Sequence, residues 1–203
     1  MHAKLITIYL VICLLSIFVW PTYRVWSRHG VWPVVFNRQA SPGQSLIGFF
    51  FKLIFLGLII LSALAAWSPP DTLTVVQVPI YVSAIGWSLL VIGAAICALS
   101  QRQMGASWRI GIDDRRTELV TEGLFRYSRN PIFTGMLCIV CGYMLVLPAW
   151  WSLLIFITIW AGLRIQVVWE EKHLLKLHQD KYRIYMNRVG RFLPRIGFRT
   201  SVD

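Results

Sequence analysis

Five long runs of apolar residues, separated by polar segments, dominate the pattern along this chain. The runs are Leu5–Trp20, Leu46–Trp67, Val75–Leu99, Ile132–Leu147 and Trp150–Trp169. A bilayer core about 30 Å thick needs about 20 helical residues, and the second, third and fifth runs reach that length. Apolar and polar residues do not alternate within the runs, which favours helices over barrel strands. The pattern therefore predicts an all-α integral membrane protein with about five transmembrane helices.

Composition supports this prediction, because 57% of the residues are hydrophobic, 14% are charged and the mean hydropathy is +0.61. Soluble domains carry about 25% charged residues. The 203 residues fit one domain, in which we distinguish a three-span region, 1–99, from a second region, 100–203, containing a helical hairpin, 132–169. The first run could be a signal peptide, but no small-residue cleavage site follows it, so we expect a retained helix.

Positive charge is gathered in alternate polar segments. Three arginines follow the first run, six precede the fourth, and eight lysines or arginines follow the fifth. Because basic loops face the cytoplasm, we expect a multi-pass protein with its amino terminus outside and its carboxyl terminus cytoplasmic. The short chain suggests a bacterial inner membrane. The same asymmetry accounts for the net charge of +11, so we predict membrane lipids rather than nucleic acid as partners.

Cysteines and histidines do not predict a disulfide framework or a metal site. All four cysteines fall within apolar runs, and we interpret the closely spaced Cys138 and Cys141 as small packing residues. His173 and His178 are five residues apart, so a helix turns them away from each other. We therefore predict no bound metal.

A basic, glycine-bounded turn precedes the fourth run. Gly123 allows a positive φ, Pro131 suits the first turn of a helix, and Asn130 then occupies the cap position. The helix start presents N–H groups and a positive dipole end, which favour a carboxylate or a phosphate. Arg126 and Arg129 add donors suited to the same groups. This turn is the first candidate site.

The end of the fifth run supplies the opposing element. Arg164 lies about 21 Å along this helix, still within the hydrocarbon, where an arginine is either functional or snorkels to the interface. Arg164 and Glu171 are seven residues apart and share a helix face. Glu170 and Glu171 could be a solvated helix end, pair with Arg126 or Arg129, or bind an amine or a ribose hydroxyl.

The segment after Glu171 alternates leucines, tyrosines and cations in a helical pattern until Gly190 and Pro194. This is typical of an amphipathic helix at the membrane interface. Such a C-terminal helix could cover the site or only anchor the protein.

The turn from Gly123 to Gly135 reads G-x-x-R-x-x-R-N-P-x-F-x-G and resembles the signature of the integral-membrane methyltransferases. These include the isoprenylcysteine carboxyl methyltransferases and the phosphatidylethanolamine N-methyltransferases. Glu170-Glu171, followed by Y-x-x-Y-x-x-x-V-x-R-F-L-P ending at Pro194, resembles their C-terminal signature. The resemblance extends over about residues 105–196 and implies S-adenosylmethionine as cofactor.

The resemblance also implies residues that bind the cofactor, to which the position of Arg164 at the end of the fifth run and the neighbouring acidic pair add two catalytic candidates. We predict catalytic roles for Arg164 and Glu171, with Arg164 placing an anionic acceptor. Asn130 stands where the carboxyl methyltransferases commonly have histidine, and this form is also seen in the phospholipid branch. The positions matched to cofactor binding are Thr117, Leu119, Val120, Phe125, Arg126, Arg129, Asn130, Pro131, Phe133 and Glu170.

The function implied is methyl transfer to a lipophilic acceptor, a small molecule or a lipidated substrate, with the carboxylate of a prenylcysteine-like group as the expected target. Three alternatives stay open. The first is a phospholipid N-methyltransferase. The second is a membrane reductase whose Arg115, Arg116 and Arg126 would meet the phosphates of NADPH. The third is a membrane scaffold without catalytic activity.

Overall fold

The computed structural model describes residues 2–30, 42–69, 72–105 and 118–194, and this part of the chain folds as helices joined by short connections. The first helix, α1, is a continuous run of three segments, of which the middle one is a wider π-helix. The helical elements are α1 (His2–Cys13, Leu14–Val19 and Trp20–His29), α2 (Pro42–Trp67), α3 (Ile80–Met104), a 3₁₀ turn (Gly123–Arg126), α4 (Pro131–Val146) and α5 (Trp150–Arg188). The predicted all-α fold is confirmed.

Among the described residues, four helices, α1, α2, α3 and α5, are long and apolar enough to cross a membrane. The fourth predicted span, α4, is shorter, with 16 residues. The protein is thus a multi-pass membrane protein by the length and composition of its helices. Helix α3 runs across residue 99, and the division of the chain at that point stays a prediction.

The helices differ in their bounds from the predicted spans, most of all α1, α3 and α5, and α1 continues from Trp20 to His29. Helix α3 begins at Ile80 rather than Val75, because Pro79 lacks an N–H and restricts the residue before it. The preceding segment is tied down instead by the N–H of Val76, which donates to the carbonyl of Pro148 at 2.8 Å. At its other end, α3 continues to Met104.

Helix α5 does not end where the fifth apolar run ends. It has 39 residues with a kink at Gln179, where φ is +46°, so the expected C-terminal amphipathic helix is the continuation of the membrane helix. At 1.5 Å per residue the two segments of α5, before and after Gln179, add up to about 58 Å along the helix path, nearly twice a bilayer core. The spanning part is therefore residues 150–169, and the rest projects beyond the membrane.

Helix α1 passes through Pro21 without ending there. Proline has no N–H, so the carbonyl four residues earlier, that of Ile17, loses its helical partner. The side chain of Gln101 on α3 donates to this carbonyl at 2.8 Å. A hydrogen bond between helices thus replaces the missing one within α1 and fixes α1 against α3.

Contacts at both ends of the bundle show the direction of each helix. At one end, Lys4 of α1 lies 5.9 Å from the ring centroid of Trp67, the last residue of α2, and the indole N–H of Trp151 donates to the carbonyl of Leu73. The opposite end, which we call the basic end, carries the arginines of α1, α3 and the turn before α4, residues 123–130, which we call the motif turn. These arginines are Arg24, Arg28, Arg102, Arg126 and Arg129.

Helices α3 and α4 are antiparallel and approach closely through paired glycines. A Cβ on Gly93 would lie 2.6 Å from the carbonyl oxygen of Gly135, and a Cβ on Gly135 would lie 2.7 Å from that of Gly93. Two turns away, a Cβ on Gly142 would lie equally close to the carbonyl of Gly86. Small residues at such contacts let helix backbones pack in lipid. This interface places the start of α4 against the end of α3.

Candidate functional site

The motif turn is held by the last turn of α3. Gly123 has φ +63°, which confirms the predicted left-handed conformation. The side-chain oxygen of Gln103 accepts a hydrogen bond from the N–H of Leu124 at 2.8 Å. The positive φ favours glycine at this position, and a Cβ here would displace the side-chain amide of Gln103 that holds the turn.

The centre of the site is the carboxylate of Glu171, which is 4% exposed. One carboxylate oxygen accepts hydrogen bonds from Arg129, from Nε at 3.0 Å and Nη2 at 2.9 Å. The other oxygen accepts from Arg191, from Nε at 3.1 Å and Nη2 at 2.7 Å. We call Glu171, Arg129, Arg191 and Asn130 the Glu171 cluster. The hydrogen bond from Arg191 also raises the pKa of its guanidinium above the ordinary value.

Arg129 connects this cluster to the last turn of α5 and to the C-terminal segment that follows it, residues 189–194. Its Nη1 donates to the carbonyls of Met186 at 2.7 Å and Val189 at 2.8 Å, and its backbone N–H donates to the carbonyl of Gly190 at 2.9 Å. Of the ion pairs that the sequence left open, Glu171 with Arg129 is confirmed, whereas Arg126 is exposed. Cofactor binding by Arg129 and a catalytic role for Glu171 stay predictions.

Asn130 stands at the N-cap of α4 as predicted, but its side chain does not cap the helix. Its amide instead donates to the carbonyl of Arg191 at 3.1 Å and to Glu171 at 3.4 Å. The hydroxyl of Thr134, one turn into α4, donates to the carbonyl of Phe192 at 2.9 Å. These acceptors, the carboxylate of Glu171 and the carbonyls of Arg191 and Phe192, lie beside the C-terminal segment. The side chains of Asn130 and Thr134 therefore point toward that segment rather than toward the free N–H groups of α4.

The second half of α5 packs on the motif turn rather than lying apart from it. Tyr182, Tyr185 and Val189 are buried together against Leu119 and neighbouring apolar side chains of α5. The hydroxyl of Tyr185 donates to the carbonyl of Phe125 at 2.6 Å. Of the two roles considered for the tail, the structure therefore supports covering the site.

The structure brings most of the predicted site residues to this one region. Thr117 lies outside the described residues, and Arg126 is exposed. The buried ones are Phe125, Asn130, Pro131 and Glu171, and the half-buried ones are Leu119, Val120, Arg129, Phe133 and Glu170.

Arg164 is not part of the Glu171 cluster. Its side chain is exposed on the flank of α5, and its guanidinium carbon lies 5.7 Å from the ring centroid of Trp160. This cation–π contact offsets part of the cost of a charge at this depth.

Glu170 differs from its neighbour Glu171 in that no cation contacts its carboxylate among the residues that the structure describes. In the described ranges no hydrogen bond or ion pair of its carboxylate is recorded, although the side chain is half-buried. It is the residue directly after the spanning part of α5. Burial, and secondarily the charge of Glu171, raise its pKa to about 7. A positively charged ligand at this carboxylate would reverse that shift.

Sequence reasoning assigned no site role to several residues that build this region. Arg191 and Tyr185 belong to the C-terminal signature, so that motif could have identified them. Gln103 and Thr134 act through their contacts with the motif turn and the C-terminal segment, and no sequence pattern marked them.

The fold and the site define an α-helical integral membrane protein with a polar site where helices end at one membrane face. A family model described as phospholipid methyltransferase matches residues 81–181. Two curated relatives are named protein-S-isoprenylcysteine O-methyltransferase: that of Schizosaccharomyces pombe is 27% identical over 118 residues, and that of Saccharomyces cerevisiae 27% over 116. The chain belongs to the membrane methyltransferase superfamily.

These matches are partial. They cover 56% and 55% of this chain, and 49% and 48% of the two relatives. The chain thus spans about half the length of the curated relatives that it matches.

Proposed function

We propose that this protein transfers a methyl group from S-adenosylmethionine to a lipophilic acceptor, with the carboxylate of a prenylcysteine-like group as the target. The observation that carries this proposal is the meeting of the two family signatures in the Glu171 cluster. Arg129 and Asn130 come from the first signature, and Glu171 and Arg191 from the second. The names of the two curated relatives support the choice of acceptor.

The residues present fit this cofactor. S-adenosylmethionine supplies a methyl group already activated on a sulfonium sulfur. Glu170 is a half-buried carboxylate for which no cation is recorded in the part of the chain that the structure describes, so it can take the amino group or the ribose hydroxyls. The half-buried Leu119, Val120 and Phe133 offer apolar surface to the adenine. Phe125, Arg126, Arg129, Asn130 and Pro131 complete the proposed binding set.

An activated donor needs no strong base, so the protein's main tasks are to align the reactants and to exclude water. The Glu171 cluster fixes the C-terminal segment over the start of α4, which performs both tasks. Arg164 is exposed on the bundle flank at hydrocarbon depth, where it can meet the anionic end of an acceptor that approaches through the bilayer.

We further propose a bacterial inner membrane with the basic end cytoplasmic.

Phospholipid N-methylation is the second candidate function. It is favoured by the description of the matching family model and by Asn130 in place of histidine. The two functions share the cofactor and differ in the acceptor.

Calorimetric titration of the detergent-purified protein with S-adenosylmethionine, and separately with NADPH, tests the cofactor. We expect saturable binding of S-adenosylmethionine that Glu170→Ala weakens by about tenfold or more. Asp180→Ala, which removes an exposed carboxylate from the same helix, is the matched control and should bind normally. NADPH binding instead would favour the reductase, and binding of neither ligand would favour the scaffold.

The acceptor is tested by transfer of labelled methyl from S-adenosylmethionine. N-acetyl-S-farnesylcysteine and phosphatidylethanolamine are offered separately in mixed micelles. Methylation of the farnesylcysteine with an Arg164-dependent KM supports the first function. Methylation of phosphatidylethanolamine alone would replace it with the second.

A further inference from the structure

An open polar pocket, apart from the Glu171 cluster, lies at the basic end between α1 and α3. Its volume is about 550 Å³, and it is lined by Trp20, Tyr23, Arg24, Ser27, Arg28 and Arg102. None of these residues belongs to the Glu171 cluster or to the proposed cofactor-binding set. The pocket therefore needs an explanation of its own.

Three arginines from two helices converge on this pocket, and its described lining contains no acid. Arg24 and Arg28 are four residues apart on α1, so they share a helix face. No ion pair of Arg24, Arg28 or Arg102 is recorded in the described ranges. Guanidinium groups offer several donors in a planar fork that matches phosphate. A preference for basic residues on one membrane side explains arginines here, but it does not explain their convergence on a cavity.

The remaining wall of the pocket is aromatic. Trp20 is 59% exposed and Tyr23 is 54% exposed, and their ring centroids are 6.1 Å apart. They lie where the apolar part of α1 ends, which is the level at which tryptophan and tyrosine sit beside lipid headgroups. A ligand that fills this pocket therefore combines a negative charge with attachment to the bilayer.

The pocket is also held in a fixed shape. The hydrogen bond from Gln101 to the carbonyl of Ile17 joins α3 to α1 one residue before Arg102. It thereby sets the separation between the arginine of α3 and those of α1. On the other side of Arg102, Gln103 holds the motif turn.

We propose that this pocket binds the phosphate headgroup of an anionic phospholipid, separately from the methyl-transfer site. A lipid phosphate and a free phosphate share the chemistry that the arginines recognise. The exposed aromatic residues at the membrane interface favour the lipid. The proposal does not depend on the proposed methyltransferase activity, since it concerns binding by residues outside that site.

The test is a calorimetric titration of the full-length protein, in a neutral detergent, with dioctanoyl phosphatidylglycerol. Dioctanoyl phosphatidylethanolamine and glycerol 3-phosphate are the comparison ligands. The pocket variant is Arg24→Gln/Arg28→Gln/Arg102→Gln. Its matched control is Lys176→Gln/Lys181→Gln/Arg188→Gln, which removes the same charge from exposed positions on α5.

We expect saturable binding of phosphatidylglycerol that the pocket variant weakens by about tenfold or more, because up to three charge-assisted contacts are lost. The control variant should change the affinity by less than about twofold, as expected of screened surface charges. Thermal unfolding without lipid checks that the variants are folded. Arg102→Gln alone, at the exposed end of α3, supplies a weaker second variant, with an expected loss of about threefold.

Other outcomes would overturn the proposal. Equal weakening by both triple variants would indicate general attraction to the basic end. Phosphatidylethanolamine binding as tightly as phosphatidylglycerol would remove the preference for an anionic lipid. Glycerol 3-phosphate binding as tightly would show that the site takes soluble phosphates rather than a lipid.

Discussion

Helix α4 is held at two places that use opposite chemistry. Within the membrane it lies against α3 through Gly135 and Gly142, which approach the carbonyls of Gly93 and Gly86 and leave no room for a Cβ. At its first turn, Asn130 and Thr134 are held by polar contacts to α5 and to the C-terminal segment. The first contact depends on the absence of side-chain atoms at glycine, and the second on hydrogen bonds around the paired charges of the Glu171 cluster.

The difference follows from the solvent at each level. In lipid there is no hydrophobic drive between helices, so association depends on close packing. At the membrane face water competes for every polar group, so a buried carboxylate persists only when its hydrogen bonds are complete. An added methyl group should therefore damage the first region, and a removed charge the second.

The largest expected effect is that of Glu171→Gln. The buried guanidinium of Arg129, whose side chain is 9% exposed, would lose its compensating charge, which costs about 3–5 kcal/mol. We expect a large fall in the thermal unfolding midpoint of the detergent-solubilised protein. The control is Glu118→Gln, which removes an exposed carboxylate. An unchanged midpoint for Glu171→Gln would show that the cluster does not hold the fold.

The next effect tests the glycine interface. Gly93→Ala places a Cβ at 2.6 Å from a backbone oxygen of α4, and such overpacking costs about 1–3 kcal/mol. The control is Gly57→Ala in α2, where a Cβ meets nothing within 4 Å and alanine favours the helix. We expect a lower unfolding midpoint for the first variant and an equal or higher one for the second. Equal midpoints for both variants would mean that α3 and α4 can move apart far enough to accept the added methyl group without loss of stability.

A smaller effect is expected for Arg191→Gln. The variant removes two hydrogen bonds to Glu171, but about a third of the side chain, 35%, is exposed, so the loss should be about 1 kcal/mol. Arg129 still compensates the carboxylate. Thermal unfolding should rank this variant between Glu171→Gln and the control Arg188→Gln, which lies at an exposed position. A loss as large as that of Glu171→Gln would mean that the two arginines act as one unit.

The smallest effect concerns pH. With a pKa of about 7, Glu170 is protonated below neutrality, so we expect S-adenosylmethionine to bind more tightly as pH rises through about 7. Without ligand the sign is opposite: the folded state binds the proton more tightly than the unfolded one, so stability should fall as pH rises from about 4.5 to about 7. Calorimetric titrations with S-adenosylmethionine at several pH values should show the first trend, and thermal unfolding without ligand should show the second. Glu170→Gln should remove both. A pH-independent affinity in the unmodified protein would argue against contact between Glu170 and the cofactor.

Much of the fold could be predicted from the chain alone. The apolar runs identified five helices, and Gly123 and Pro131 fixed the turn and the start of α4 by their own backbone chemistry. The amphipathic pattern after Glu171 predicted a helical tail before Gly190, and α5 does end at Arg188. Its continuity with the membrane helix could not be predicted in this way, since hydrophobicity stops at Trp169. The tail remains helical because Tyr182 and Tyr185 gain burial on the motif turn.

The candidate site could be predicted only in part, because its ion pairs depend on contacts between segments far apart in the chain. The motifs included Arg129, Asn130 and Glu171. They did not show which of Glu170 and Glu171 would be paired with arginines, because that depends on which carboxylate faces Arg129 and Arg191. Adjacent residues on a helix point about 100° apart. Glu171 is therefore enclosed by two arginines, whereas Glu170 contacts no cation within the described part of the chain. The spacing of the motifs does not contain that information.

The sequence by itself determined the helices, the basic end and the positions of the two signatures, because hydrophobic length, charge and backbone chemistry are local properties. The tertiary structure decided which groups meet. It packs Gly93 against Gly135, pairs the carboxylate of Glu171 with Arg129 and Arg191, and places Arg164 outside the Glu171 cluster. These outcomes arise from packing between segments far apart in the chain, where a shift of one residue changes the partner.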